Sequence, residues 1–312
     1  MNVVPRNSPR RSGIFPVTKT LRVVVPNLTA VTMATVFAEA AALGDGPADG
    51  GAEEFRLSLE DVKFIDPYGL VGLWCVLRHL KRRYHAVVVI PPTDLDLQGY
   101  LHRMNFPAVT APMAVLEGRV GGRGTTGPSD VLLELTPIEQ QADVEQVLRN
   151  MLGRVRRILE SELGYGERDV TAFCTVLAEA CTNIVDHSED RGVVAAQRYT
   201  QRGGTGYVIV GVADLGIGIR QSLATRYRHA ERWSHIQAIV NALQKEYSRH
   251  PDRGLGLFMV SRIVGAYRGS LHIRSGDARL YLRHRAHRLV AGPFPGTQLA
   301  ISLSARGTQE RA

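Results

Sequence analysis

The chain has 312 residues, of which 44% are hydrophobic and 22% charged, and its net charge at pH 7 is +8. That apolar content can fill packed cores without covalent staples, and three scattered cysteines, Cys75, Cys174 and Cys181, form neither a disulfide framework nor a CxxC zinc site. The basic excess favours phosphates or acidic partners. Its short arginine runs, at Arg78 to His85, Arg154 to Arg157 and Arg279 to Arg288, fit solvated faces of regular elements and accompany no nucleic-acid-binding motif, so nucleic acid is not an expected partner.

Residues 1–18 contain paired arginines but lack the apolar stretch of about 7 to 15 residues that a secretory signal needs, and read as a flexible tail. No uncharged apolar run approaches about 18 residues, so neither a spanning helix nor a membrane partner is expected. With free thiols, this points to a cytoplasmic protein.

Over residues 19–117 short apolar runs alternate with amphipathic stretches: LRVVV from Leu21, Ala30 to Leu43, FRLSL from Phe55, Gly69 to Arg83, AVVVI from Ala86, and Leu95 to Met104. This alternation predicts an α/β domain with a mainly parallel sheet, because parallel strands need crossover connections. Gly44 to Ala52 is a surface loop in this reading, and the glycine-rich segment 118–129 is a linker.

Residues 130–305 predict a second domain. A strand at Val131 to Leu135 precedes helices at Asp143 to Leu163 and Glu167 to His187. Strands follow at Val193 to Tyr199 and Gly206 to Ala213, then helices at Ser234 to Glu246 and Gly256 to Tyr267. Strands at Ser270 to Arg274, Leu280 to His284 and Gln298 to Leu303 close it. The expected architecture is a two-layer α/β sandwich with a mixed sheet, followed by a tail at 306–312.

The helix DVTAFCTVLAEACTNIVDHS, from Asp169, buries Val170, Phe173, Cys174, Leu177, Cys181 and Ile184 on one side and aligns Glu179, Asn183 and His187 on another. An amide oxygen such as that of Asn183 suits magnesium, which takes few protein ligands and leaves the rest to phosphates and water. Glu179, one turn earlier, could take a proton from an attacking hydroxyl or water. The plainer alternative is a solvated helix face.

In VIVGVADLGIGI, from Val208, a buried strand runs into Asp214, Gly216 and Gly218. A carboxylate accepts but does not donate, so Asp214 could read the exocyclic amine of adenine and oppose the carbonyl of guanine. The glycines would admit positive φ and let the backbone approach the base; an ordinary turn is the alternative. In RGLGLFMVSRIV, Arg253, Gly254, Leu255, Gly256 and Leu257 open an apolar helix whose first N–H groups could meet phosphate, although glycine before a helix is also common punctuation. Finally, Gly296 and Thr297 open the last strand, where a hydroxyl could reach the base or simply begin a strand.

Order and spacing carry more than any single motif. Asn183 lies four after Glu179, Asp214 is 31 after Asn183, Gly254 is 36 after Gly218, and Gly296-Thr297 follow. This series resembles the N box and successive glycine boxes of the GHKL ATPases. The resemblance implies Mg2+ and ATP as cofactors, Glu179 as catalytic base, Asn183 as magnesium ligand and Asp214 as adenine reader. It makes Gly254 to Leu257 the phosphate-side edge of a mobile lid, supplied by the chain between Ile219 and Arg253 with Tyr227, His229 and Trp233.

The EACTN wording and the following DHS are most similar to bacterial anti-sigma-factor kinases. That resemblance implies a serine/threonine protein kinase or ATPase in partner-switching signalling, with an anti-sigma antagonist or a sigma factor as partner. A homodimer is compatible with it. The histidines preceding the domain, His79, His85 and His102, lack the context of a sensor kinase's phosphoacceptor. The alternative function is an ATP-gated interaction switch with little or no catalysis.

In the first half, LSLEDVKFIDPYGLVGL, from Leu57, resembles the STAS domains of anti-sigma-factor antagonists. Where those carry a phosphoacceptor serine or threonine, this chain has Tyr68 after Pro67. The longer, rigid tyrosine side chain does not suit a serine kinase, so this half is expected to dock or sense and not to serve as the kinase's own substrate.

Overall fold

The computed structural model describes residues 18–43, 54–118, 131–161, 164–200, 206–245, 247, 256–267, 269–283 and 286–304. The loop expected at 44–52, most of the expected linker and both expected tails lie outside the described residues, apart from Thr18 and Gly118 at their edges.

The first half runs β1 (Thr18–Arg22), β2 (Asn27–Leu28), α1 (Met33–Ala42), β3 (Glu54–Ser58), β4 (Phe64–Ile65), α2 (Pro67–Lys81), β5 (Ala86–Ile90), α3 (Leu95–Arg103), α4 (Phe106–Thr110) and β6 (Val115–Leu116). Four strands pair in the order β1-β3-β5-β6, all parallel, with helical crossovers between them. A separate two-stranded parallel ladder joins β2 to β4.

Helix α2 begins where Asp66 accepts the Gly69 N–H at 2.8 Å and Pro67 presets the first turn. Its sequence, PYGLVGLWCVLRHLK, is apolar on nearly every side. A helix of that kind must be covered all round. Glycine at 69 lets it touch β2, since a Cβ there would stand 2.3 Å from the Leu28 carbonyl oxygen.

The second half runs β7 (Val131–Ile138), α5 (Gln141–Ser161), α6 (Glu167–Asn183), a π turn at Ile184–Ser188, β8 (Gly192–Thr200) and β9 (Gly206–Asp214). It continues through α7 (Gly218–Ala224), a 3-10 turn at Arg228–Arg232, α8 (His235–Ala242), α9 (Gly256–Ala266), β10 (Ser270–Leu282) and β11 (Ala286–Ser304). The sheet order is β10-β11-β9-β8-β7.

One sequence expectation needs correction. The sheet is not mixed, because every pairing among the described residues is antiparallel: β8 with β9 and β10 with β11 join sequence neighbours, and the helical excursions return the chain reversed. The helices of the second half lie on one face of this sheet, and the first half occupies the other. One sheet face packs on α5, α6 and α9 through Phe173, Leu177, Cys181, Val210 and Ile301. The other face is covered by α1 and α2, so that Phe37, Tyr68 and Cys75 share a core with Val193, Ala213 and Phe294. At Gly211 of β9 an added Cβ would stand 2.4 Å from the Pro67 carbonyl oxygen, so helix and strand backbones meet there.

The described part of the expected lid, from Ile219 to Leu243, folds into α7, the 3-10 turn and α8, which overlaps the helix expected from Ser234, and it buries Ile219, Leu223, Ala230, Ala238 and Ile239 in the core. The final hairpin is longer than expected, with β11 running on through Gly292, Pro293, Pro295 and Gly296. They accompany a register shift opposite Gly276 and Asp277, beyond which pairing resumes. No described helix is long and apolar enough to cross a membrane.

Candidate functional site

Helix α6 buries Val170, Phe173, Leu177 and Cys181 and carries Glu179 and Asn183 toward the start of α9. The Glu179 carboxylate accepts the Gly256 backbone N–H. Burial raises its pKa, opposed by that hydrogen bond and assisted by the charge of Asp186. Asn183 Oδ1 lies 3.6 Å from where a Cβ on Gly256 would stand. Glu179, Asn183 and Gly256 therefore meet at one point. The side chain of His187 lies outside what the structure describes.

Past Asn183 the helix widens into the π turn, a feature often found at functional sites. Ser188 Oγ sits 2.6 Å from the carbonyl oxygens of both Ile184 and Asp190 and accepts the Asp190 N–H at 3.1 Å. The Ser188 carbonyl in turn accepts the Ile217 N–H at 2.9 Å. This ties the end of α6 to the turn after β9.

Asp214 closes β9 and is only 7% exposed. Its Oδ1 accepts the backbone N–H groups of Gly216 at 2.8 Å and Thr297 at 3.3 Å. Burial pushes its carboxyl up to about 7, while those two hydrogen bonds pull the other way and the Asp190 charge adds to the rise. Its backbone carbonyl accepts Gln298 Nε2 at 3.0 Å and the Cys75 thiol at 3.8 Å.

Both glycines stand where the backbone packs closely, and Gly218 also lines the cavity described below. A Cβ on Gly216 would stand 1.8 Å from the Ser188 carbonyl oxygen, and one on Gly218, at φ +75°, 2.9 Å from Ser275 Oγ. Thr297 contributes its N–H to Asp214, while its hydroxyl lies 3.5 Å from Ser275 Oγ.

A cavity of about 800 Å³, open mouth included, lies between these elements. Its apolar wall includes Ala180, Ile184, Val212, Ile219, Leu223 and Leu299, and Asn183, Asp214 and Thr297 supply polar edges. Gly218, Gly256 and Leu257 also line it, with Tyr247 and Phe258. The structure thus brings Asn183, Asp214, Gly218, Gly256, Leu257 and Thr297 to one space, with Glu179 held beside it through Gly256. Gly216 stands behind, against Ser188. Arg253, Gly254 and Leu255 lie outside the described residues.

Ser188, Ser222, Ser275 and Tyr247 were not singled out from the sequence. Ser275 accepts the Ile219 N–H at 3.0 Å and donates to the Gly296 carbonyl at 3.2 Å, pinning α7 to the last strand. A lone serine inside a strand gives no local signal of that bond.

This donor set fits an adenine nucleotide with magnesium. An apolar slot suits a planar base, and the described hydrogen bonds of the Asp214 side chain all fall on Oδ1, which leaves Oδ2 for the ring's amine. Among the described residues no cluster of three or more His, Cys, Asp or Glu is placed to hold a metal, and Asn183 brings an amide oxygen to the cavity. Residues 168–304 match the family model described as histidine kinase-, DNA gyrase B-, and HSP90-like ATPase. This part of the chain is a GHKL-type ATP-binding domain. No curated protein and no solved structure gives a significant match. The GHKL domain therefore comprises α6 to β11, and the helices of the first half cover the back of its sheet.

Proposed function

We propose that the protein is a Mg-ATP-dependent regulatory enzyme of the partner-switching kind, a serine/threonine kinase or ATPase whose acceptor lies on another protein. The observation that carries this reading is the meeting of Glu179, Asn183 and Gly256 beside a cavity that also holds Asp214.

When bound, ATP supplies the phosphoryl group and magnesium the compensating charge. Asp214 would accept the adenine amine, and the Asn183 amide oxygen would hold the metal. The start of α9 lines the same cavity, on the side where phosphates would lie. Glu179, whose carboxyl is raised by partial burial, takes the proton of the attacking hydroxyl or water.

The first half, STAS-like in its wording, is not the acceptor in this reading. Tyr68 stands where that resemblance puts a phosphoacceptor, and it is 1% exposed, projecting from the first turn of α2 onto His272 of the GHKL sheet. An anti-sigma antagonist or a sigma factor is the partner the reading calls for.

The test is to incubate the purified protein with labelled Mg-ATP, alone and with lysate, following free phosphate and labelled protein. Transfer or release that disappears in Glu179→Gln while ATP binding persists supports the reading. Unaltered turnover in that variant refutes the role of Glu179.

A second reading, the ATP-gated switch, is favoured by Tyr247. It lines the cavity and packs edge-on to Tyr227 and Trp233 at 5.3 Å each, so a bound nucleotide reaches the α7–α8 region directly. Nucleotide-dependent protection of residues 220–253 without any labelled product would favour it.

A further inference from the structure

We infer that Arg78, on α2 of the first half, and Arg82, at the C-cap of that helix, are positioning residues for the nucleotide cavity and act on it through Asp190. The inference rests on the ATP-binding reading and adds to it a route by which the first half sets affinity.

Arg82 donates its backbone N–H to the Arg78 carbonyl at 3.3 Å, which sets the two residues one turn apart at the end of α2. Arg78 Nη2 bonds Asp190 Oδ1, and Arg82 Nη2 bonds Asp190 Oδ2 at 2.5 Å. Both carboxylate oxygens are thereby taken by one helix. The Asp190 side chain is 13% exposed and Arg78 21%, so that pair is partly buried, while Arg82, at 47%, reaches the second oxygen from the solvent side. The Arg78 guanidinium also lies 5.3 Å from the Trp74 ring centre, which limits its freedom to swing away.

From Asp190 the connection is short. Ser188 Oγ holds the backbone N–H and carbonyl of Asp190. The Ser188 carbonyl receives the Ile217 N–H and presses on Gly216 too closely for any Cβ. Gly216 N–H then bonds Asp214 Oδ1. Ser188 and Ile184 line the cavity themselves.

A second contact runs in parallel. Cys75, one turn before Arg78, directs its thiol to the Asp214 carbonyl. Helix α2 therefore touches the adenine-side turn at its backbone and braces it through Asp190. Because α2 is wedged between two sheets, a displacement of the first half cannot leave that turn where it is.

A purely structural tie would lower stability and leave the nucleotide preference of the folded protein unchanged. A positioning role changes the preference. The experiment measures Mg-ATP and Mg-GTP affinity and the melting temperature of the full chain at about pH 8.5, where Asp214 is ionised with or without the Asp190 charge, as wild type, Asp190→Asn, Arg78→Gln/Arg82→Gln and Arg78→Lys/Arg82→Lys. Asp190→Asn keeps the backbone groups that Ser188 uses and removes the charge that the arginines hold.

The expected result is a loss of Mg-ATP affinity of roughly tenfold in Asp190→Asn and in the glutamine pair, with a smaller ATP-over-GTP ratio and substantial recovery in the lysine pair. Should the glutamine pair not fold, Asp190→Asn decides. Wild-type affinity and wild-type selectivity in folded Asp190→Asn overturn the inference. Absence of ATP binding by the wild type overturns the ATP-binding reading beneath it.

Discussion

The Asp214 side chain accepts the backbone N–H of Thr297, 83 residues further along the chain, at 3.3 Å on the same oxygen that takes the Gly216 N–H at 2.8 Å. Two remote segments thus fix one carboxylate oxygen and leave the other for a ligand. Asp214→Asn keeps an acceptor for both N–H groups but sets an NH2 against the adenine amine. A hydrogen bond to a charged group is worth about 1.5 to 3 kcal/mol, so ATP affinity should fall by roughly 10- to 150-fold and the preference over GTP should narrow. Titration calorimetry with both nucleotides checks this, and unchanged affinity would remove Asp214 from the adenine site.

The same carboxyl predicts a pH dependence. Burial lifts Asp214 from 3.8 to about 7, so between these values the folded protein holds a proton that the unfolded chain has released. Stability contributed by this group falls as pH rises from about 4 to 7 and levels off above 7. ATP affinity runs the other way, decreasing as pH drops below about 7, because the ionised carboxylate is the better acceptor. Asp214→Asn should flatten both trends. Subtracting its profile from that of the wild type isolates them from the buried Asp66, also near 7, and from the titration of the nucleotide's own phosphates.

Two glycines should respond oppositely to the same substitution. Gly216→Ala puts a methyl group 1.8 Å from a backbone oxygen, and neither the π turn nor the strand end can yield cheaply. Overpacking of this kind costs about 1 to 3 kcal/mol, and here it should also distort the hydrogen bond to Asp214 and weaken ATP binding. Gly153, in α5, has nothing within 4 Å of an added Cβ. Gly153→Ala should raise stability by about 0.5 to 1 kcal/mol from helix propensity. Melting curves of both variants give the comparison, and a destabilised Gly153→Ala would contradict the assigned packing.

How far the sequence could reach follows from the range of each interaction. The core face of α6, the β9 strand ending at Asp214 and the alternation of the first half are local patterns. Helices α1, α2 and α3 and strands β3 and β5 lie close to where that alternation puts them, while the first strand is shifted to Thr18–Arg22 and the short β2, β4, α4 and β6 carry no such pattern. The covering of the sheet's second face is not local. The sign of it is the all-round apolar character of LVGLWCVL, which reads as an ordinary helix until two sheets are seen to enclose it. Likewise Asp190 looks like a loop residue beside DHS, and its value as an anchor depends on arginines 112 and 108 positions earlier. Gly216 was legible as a required glycine, but the reason for it, the Ser188 carbonyl, lies in another element.

Tyr68 gives the last test. Its ring is buried against the GHKL sheet, edge-on to His272 with centroids 5.3 Å apart, and burial, reinforced by Arg279 and Arg274, pushes that histidine down to about 3, so it stays neutral at pH 7. Tyr68→Phe keeps the ring and should change stability by less than about 1.5 kcal/mol. Tyr68→Ser restores the residue type that the antagonist resemblance would require, yet it leaves a void and should cost about 3 to 5 kcal/mol, as large-to-small changes in packed cores do. Burial also keeps the new hydroxyl from any kinase site, so labelled Mg-ATP should leave that variant unlabelled at position 68. Label appearing there would mean that α2 leaves the sheet during the catalytic cycle, and that the contacts joining the two halves open and close in place of acting as a fixed brace.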